Sequence, residues 1–171
     1  MSVELGLGDP HSEFKVYIAN RPNYAGYNEL TCVHTLEIGQ VNAIGQACGN
    51  GWRKVFNVYA KLLFALKLTE VVDTTSFCSW QDYRDKKLLQ ANSNTSLLFS
   101  KPNLNELGWH IVMGKTHAHE LGLSSSVAWL DKEFAVDRNT RLIVCPYFDY
   151  RQLSNIKIIR LVQLIHSLNS Q

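Results

Sequence analysis

The chain has 171 residues, 46% of them apolar and 19% charged, with a net charge of +2. That composition excludes a disordered or fibrous chain and fits a single folded domain over residues 1–171, long enough to bury a core. The small charge excludes a global basic field for nucleic acid, although a local patch needs only a few Lys and Arg side chains.

The start, MSVELGLGDPHSEF, lacks a basic region followed by an apolar core, so it does not read as a signal peptide. No apolar run approaches the ~20 residues of a membrane helix, which predicts a cytoplasmic protein with no membrane partner. Residues 1–12 read as an irregular lead-in. Residues 14–19, FKVYIA, alternate as a strand does. They stop at Asn20-Arg21-Pro22-Asn23, because proline supplies no donor and pushes the residue before it out of helix. The polar, tyrosine-rich loop NRPNYAGYNEL follows. Residues 37–47 read as a weak helix, diluted by Gly39 and Gly45. The clearest helix comes next. Trp52, Val55, Phe56, Tyr59, Leu62, Leu63 and Leu66 recur at helical spacing, with Arg53, Lys54, Asn57 and Lys61 mostly on the other side. A shorter helix is expected over residues 80–90.

The second strand is expected over residues 96–99, ending at Ser100-Lys101-Pro102-Asn103, and the third over 109–113, closing at Gly114. Short helices are expected over 116–121, capped by Gly122, and over 127–134. The fourth strand, 141–145, runs into Pro146, and a last helix covers 155–168 with Ser154 as its N-cap. Apolar strands separated by helices predict an α/β fold. Its expected form is a three-layer αβα sandwich whose mainly parallel four-stranded sheet has these four strands as neighbours.

In such sheets ligands bind beyond the strand C-termini. Two segments there are dense in recognition chemistry. In PYFDYRQLSN, Tyr147, Phe148 and Tyr150 suit stacking on a base, Arg151 suits a phosphate, and Asp149 is the candidate catalytic group. In the loop after the first strand, Asn20, Arg21, Asn23 and Tyr24 are the candidates. Ser100, Asn103 and Lys115 complete the expected ligand-binding set. The plain alternative for each is a solvated surface loop.

Metal and cofactor signals are weak. His117 and His119 diverge by ~200° on a helix and cannot share an ion. Gly114-Lys115-Thr116 lacks the earlier glycine of a phosphate loop, though Lys115 and the first amides of its helix could meet an anion. Cys32, Cys48, Cys78 and Cys145 form no C-x-x-C pair and are expected in apolar surroundings. The sequence calls for no metal and no cofactor.

Four stretches, in order, resemble the uracil-DNA glycosylase-like superfamily. Ala19-Asn20-Arg21-Pro22-Asn23-Tyr24 stands where that family has a Gly-x-x-Pro water-activating loop. Leu97-Leu98-Phe99-Ser100 stands where a strand ends in a base-reading Asn. Val112-Met113-Gly114-Lys115-Thr116-His117-Ala118 is similar to the family's strand, turn and short helix, and Cys145-Pro146-Tyr147 stands in place of His-Pro-Ser. The chain also looks like an uncharacterised proteobacterial family. The resemblance implies a parallel sheet between helices with its site at the strand C-terminal ends. It also implies base recognition without the usual reaction, since Arg21 replaces the water-positioning acid, Ser100 the Asn and Cys145 the His. The expected partner is therefore a nucleobase, nucleotide or nucleic acid. The rivals are a protein-interaction or regulatory domain on the same scaffold and an enzyme acting on a small phosphorylated metabolite through Lys115 and Arg151.

Overall fold

The computed structural model describes residues 3–170. Eight strands form one mixed sheet: β1 (Gly6–Gly8), β2 (Phe14–Tyr17), β3 (Val33–His34), β4 (Thr95–Leu98), β5 (Trp109–Met113), β6 (Ala128–Trp129), β7 (Ala135–Asp137) and β8 (Leu142–Cys145). Their order is β3-β1-β4-β2-β5-β8-β7-β6. At the centre, β4, β2, β5 and β8 are parallel neighbours, with Lys15 beside both Ser96 and His110, and His110 beside Leu142. The fold is α/β, and the four expected strands lie side by side. The expectation of a four-stranded, mainly parallel sheet is corrected, because four further strands extend it. β1 joins β4 antiparallel, β7 joins β8 antiparallel, and two-residue strands β3 and β6 close the edges.

Five α-helices accompany the sheet among the described residues: α1 (Gln40–Cys48), α2 (Asn50–Leu66), α3 (Trp80–Lys86), α4 (Lys115–Glu120) and α5 (Asn155–Asn169). Alternation along the strands assigns side chains to two faces. Phe14, Val16, Leu97, Trp109, Ile111, Met113, Ile143 and Cys145 share one core with α1, α2, α3 and α5. Tyr17, Leu98, Val112, Leu142 and Val144 face a smaller core with Ala118 of α4 and Leu123. The helical layers are thus unequal, one thick and one thin. α2 is amphipathic as read: Trp52, Phe56, Tyr59, Leu63 and Leu66 are all buried. The Tyr59 hydroxyl donates to the Ser96 carbonyl at 2.8 Å, and its ring meets Phe148 edge-on at 5.7 Å. This one side chain fixes α2 to β4 and to the loop after β8.

Three further expectations are corrected. Within the lead-in, residues 1 and 2 lie outside the described residues, while residues 6–8 form β1. Its glycines are required by proximity: a Cβ on Gly6 would lie 2.3 Å from the Leu97 carbonyl oxygen, and one on Gly8 2.4 Å from that of Thr95. Residues 127–134 are not a helix but the β6–β7 hairpin. Asp131 accepts from the amides of Glu133 and Phe134, both at 2.8 Å, which turns the chain after Trp129. The apolar run there follows a period of two, with Val127 and Trp129 both packed on the smaller core. Of the cysteines only Cys145 is buried, while Cys32 and Cys78 are exposed. Among the described residues no helix is long and apolar enough to cross a membrane.

Phe56 is 1% exposed at the centre of the larger core. Phe56→Ala removes that contact area and leaves a cavity, so it should lower unfolding stability by about 3–5 kcal/mol in urea titration. A loss under about 1 kcal/mol would show that the helix face is not packed as described.

Candidate functional site

The four parallel strands end at Tyr17, Leu98, Met113 and Cys145, and the loops beyond them meet in part. The Tyr147 hydroxyl donates to Asn20 Oδ1 at 3.3 Å, joining the loops after β2 and β8. Arg21 braces its own loop rather than facing a ligand. Its guanidinium donates to the carbonyls of Tyr27 at 3.3 Å and Asn28 at 3.4 Å, and lies over the Phe99 ring at 5.4 Å. Tyr24 packs on Tyr27 with ring centroids 5.4 Å apart, and burial pushes the Tyr27 hydroxyl up to about 12. The carbonyl of Asn23 accepts from the Cys48 thiol at 3.5 Å, which brings the α1–α2 corner to this edge.

Other expected residues lie apart from this meeting point. Ser100 Oγ accepts from the Leu5 amide at 3.1 Å and so serves the entry to β1. Asn103 bonds within its own loop, to Glu106 at 3.4 Å and the Asn105 amide at 3.2 Å. Lys115 lies over Trp129 at 5.3 Å, beside the smaller core. Asp149 is a turn residue: Oδ1 accepts from the Arg151 amide at 2.9 Å and Oδ2 faces Lys54 at 3.5 Å. Cys145 is fully buried and burial pushes its thiol up, so it offers no thiolate to the edge.

A feature the sequence reading passed over is the outer stripe of α2. Asn50, Arg53, Lys54, Asn57 and Lys61 recur at helical spacing on one side. They line two adjoining pockets of 280 and 240 Å³ that share Arg53 and Asn57. Two aromatic planes flank the stripe. Tyr150, 52% exposed, has Lys54 at 5.0 Å and Arg151 at 5.7 Å from its ring centre. Trp80 has Lys61 at 5.0 Å and Arg84 at 5.4 Å. Against these five cations stand Asp149 and Asp85, the latter bonded to Arg84 at 2.8 Å. No acidic residue occurs between Glu37 and Glu70. That acid-free run is the signal the sequence carries, although basic residues opposite an apolar helix face ordinarily mark solvent. Through Tyr150 and Lys54 the stripe continues into the loop after β8.

The thin face holds a second polar group of residues. Lys15, only 3% exposed on central β2, ion-pairs with Glu4 and Glu106. Burial opposes its charge, but hydrogen bonds from the ammonium to Glu106 and Glu4 outweigh burial and its pKa is raised. Beside it, His110 Nδ1 meets the Tyr17 hydroxyl at 2.8 Å and Nε2 meets the Glu106 carbonyl at 3.0 Å. That pattern fits a neutral ring carrying its proton on Nε2. A protonated lysine and a sealed imidazole have no free base to offer, so this group locks the fold rather than reacting. Among the described residues no cluster of His, Cys, Asp and Glu could hold a metal ion.

Burial lowers the His110 pKa, so the unfolded chain binds a proton near the ordinary value of 6.5 that the folded chain refuses. The hydrogen bond from Lys15 lowers the Glu106 pKa, adding a second loss below its ordinary 4.5. Stability should therefore fall as pH drops below about 6.5, and fall further below about 4.5. Thermal melts across this range should show a shallower upper slope in His110→Gln than in wild type. Equal slopes in the two proteins would assign the acid sensitivity elsewhere.

Neither curated proteins nor solved structures give a match. A family model described as a family of unknown function matches residues 5–166, from just before β1 into the last turn of α5. The chain belongs to that family, DUF6942.

Proposed function

We propose that the protein binds single-stranded nucleic acid, with the phosphate backbone along the outer stripe of α2 and a base or nucleotide at the C-terminal edge of the sheet. The observation that carries this reading is the acid-free α2 stripe between two cation-faced aromatic planes. Cations track a phosphate backbone, and Tyr150 and Trp80 offer π-faces on which bases of any sequence can stack. Asn20 and Tyr147 supply polar groups where the stripe reaches the edge. Kinship with the uracil-DNA glycosylase-like superfamily is supported by the parallel core β4-β2-β5-β8, whose strand ends lead into the matched segments.

Binding is proposed without excision. A glycosidic bond needs a positioned water and a donor to the departing base. The Arg21 guanidinium is engaged with backbone carbonyls, Cys145 is buried, Ser100 is taken by Leu5, and Asp149 is held in its turn.

A second reading, a protein-interaction domain, draws on the groove between α2 and α5. It has a volume of 570 Å³ and is lined by Phe64, Ala65, Ile158 and Ile159, the last of which is 56% exposed.

Fluorescence anisotropy with a labelled single-stranded oligonucleotide separates the two. Affinity should fall steeply with salt, and Arg53→Ala or Lys61→Ala should each lower the log–log salt slope by roughly 0.7. Trp80→Ala should weaken binding by about 1–3 kcal/mol without changing that slope. A uracil-containing strand should remain intact. Absence of binding at low salt would favour the interaction domain, and excision abolished by Asp149→Asn would restore the catalytic reading.

A further inference from the structure

A cavity of 680 Å³, larger than the pockets along α2, opens at the opposite edge of the sheet, where β5 and β8 begin. Two irregularities meet in its wall. The first is the turn 138–141 joining β7 to β8. Asp137 holds it, accepting from the Asn139 amide at 3.0 Å and the Thr140 hydroxyl at 2.8 Å. The turn closes on Arg141 at φ +53°, a left-handed conformation that Gly or Asn adopts more readily. Arginine here gains nothing from backbone preference, and strained residues of this kind gather at ligand sites. Its guanidinium lies over the Trp109 ring, 4.8 Å from the centre.

The second irregularity is Trp109 itself. The side chain is fully buried, yet among the described residues its indole N–H has no hydrogen-bond partner. A buried donor left unpaired is costly and rare enough to need an explanation. Arg138 and Arg141 also lack a carboxylate partner among the described residues. The acids in the wall do not supply one: Glu106 is committed to Lys15, and Glu13 is exposed, its backbone carbonyl accepting from the Trp109 amide at 2.7 Å. Leu107 and Leu168 add apolar wall.

We propose that this cavity binds a small organic oxyanion, a carboxylate or phosphate ester with an aromatic or apolar body. Arg141 and Arg138 hold the oxyanion, with Asn105 as a further donor, and the body rests against Leu107 and Leu168. Drawing the Arg141 guanidinium towards the oxyanion uncovers the indole and gives its N–H an acceptor. The site stands apart from the α2 stripe and does not depend on it.

The test follows the indole N–H cross-peaks of isotope-labelled tryptophan by NMR, with Trp109 assigned by its loss in Trp109→Phe. Phenyl phosphate, benzoate and inorganic phosphate are titrated separately. The expected result is a saturable shift of the Trp109 cross-peak with phenyl phosphate or benzoate, and whichever acts names the headgroup. Arg141→Asn keeps a residue that tolerates the left-handed turn, so its melting temperature should match or exceed that of wild type while affinity falls about tenfold or more. Arg138→Gln, on the exposed part of the turn, should weaken binding in the same direction. No saturable shift with either organic anion, or unchanged affinity in both variants, overturns the proposal. An equal response to inorganic phosphate overturns the claim for an organic ligand. A shift confined to Trp80 also overturns it, since that ring belongs to the α2 stripe.

Discussion

A protonated amine at the centre of the sheet organises the thin side of this molecule. Lys15 lies on β2, between Ser96 of β4 and His110 of β5, where an apolar side chain would be the ordinary choice. Its charge is tolerable only because Glu4 arrives from the N-terminal segment and Glu106 from the β4–β5 connection. Removing one member of a buried ion pair costs about 3–5 kcal/mol, because the other is left charged and unpaired. Here the partners are partly exposed, with 22% and 46% of their side-chain surfaces open to solvent, so water softens the loss. The arrangement does more than bind two segments. Glu106 also supplies the carbonyl that meets His110, whose other nitrogen meets Tyr17, so a polar chain runs across two strands. The single helix on that face, α4, is six residues long and could not cover the sheet alone.

The two faces consequently differ in what they can offer. On the thick side, α2 and α5 bury their apolar stripes and present their remaining faces outward, with Tyr59 holding α2 in register with β4 and Phe148. Because Phe148 is anchored there, its neighbours Tyr147 and Tyr150 are carried to the edge of the sheet and to Lys54 respectively. The basic stripe and the edge loops form one surface because they share that anchor. On the other side the polar interior is sealed, and the chemistry of Lys15 and His110 is spent on the fold.

Much of the central fold was legible because its signals are local. β2, β4, β5 and β8 are short apolar runs ended by Pro, Gly or polar residues, and α2 has a clean helical period. What escaped notice depends on partners distant in sequence. β1 reads as loop because glycine is a poor strand former, and only the closeness of β4 makes Gly6 and Gly8 suitable. The β6–β7 hairpin was taken for helix because the Asp131 turn that interrupts it has no proline or glycine. At the strand ends, Asn20 and Tyr147 follow the parallel strands β2 and β8 in sequence, and their side chains meet. Ser100, Asn103 and Lys115 lie apart from that contact, each turned to a partner that position alone does not reveal: Leu5, Glu106 and Trp129. Lys15 was hidden inside an alternating strand pattern, where a lysine ordinarily marks the solvent side.

The sheet's closing strands carry a consequence for how molecules of this protein meet one another. β3 and β6 are two residues long and border the short strands β1 and β7, while the central strands run to four and five. Free backbone donors and acceptors along a sheet border can recruit a strand from another molecule, and the hazard grows with the length of the open ladder. Here each border is worn down in steps, from a long central strand through a three-residue one to a stub. A sheet this wide therefore presents almost no template for edge-to-edge polymerisation, and crowding should drive contacts between its helical faces rather than between its strands.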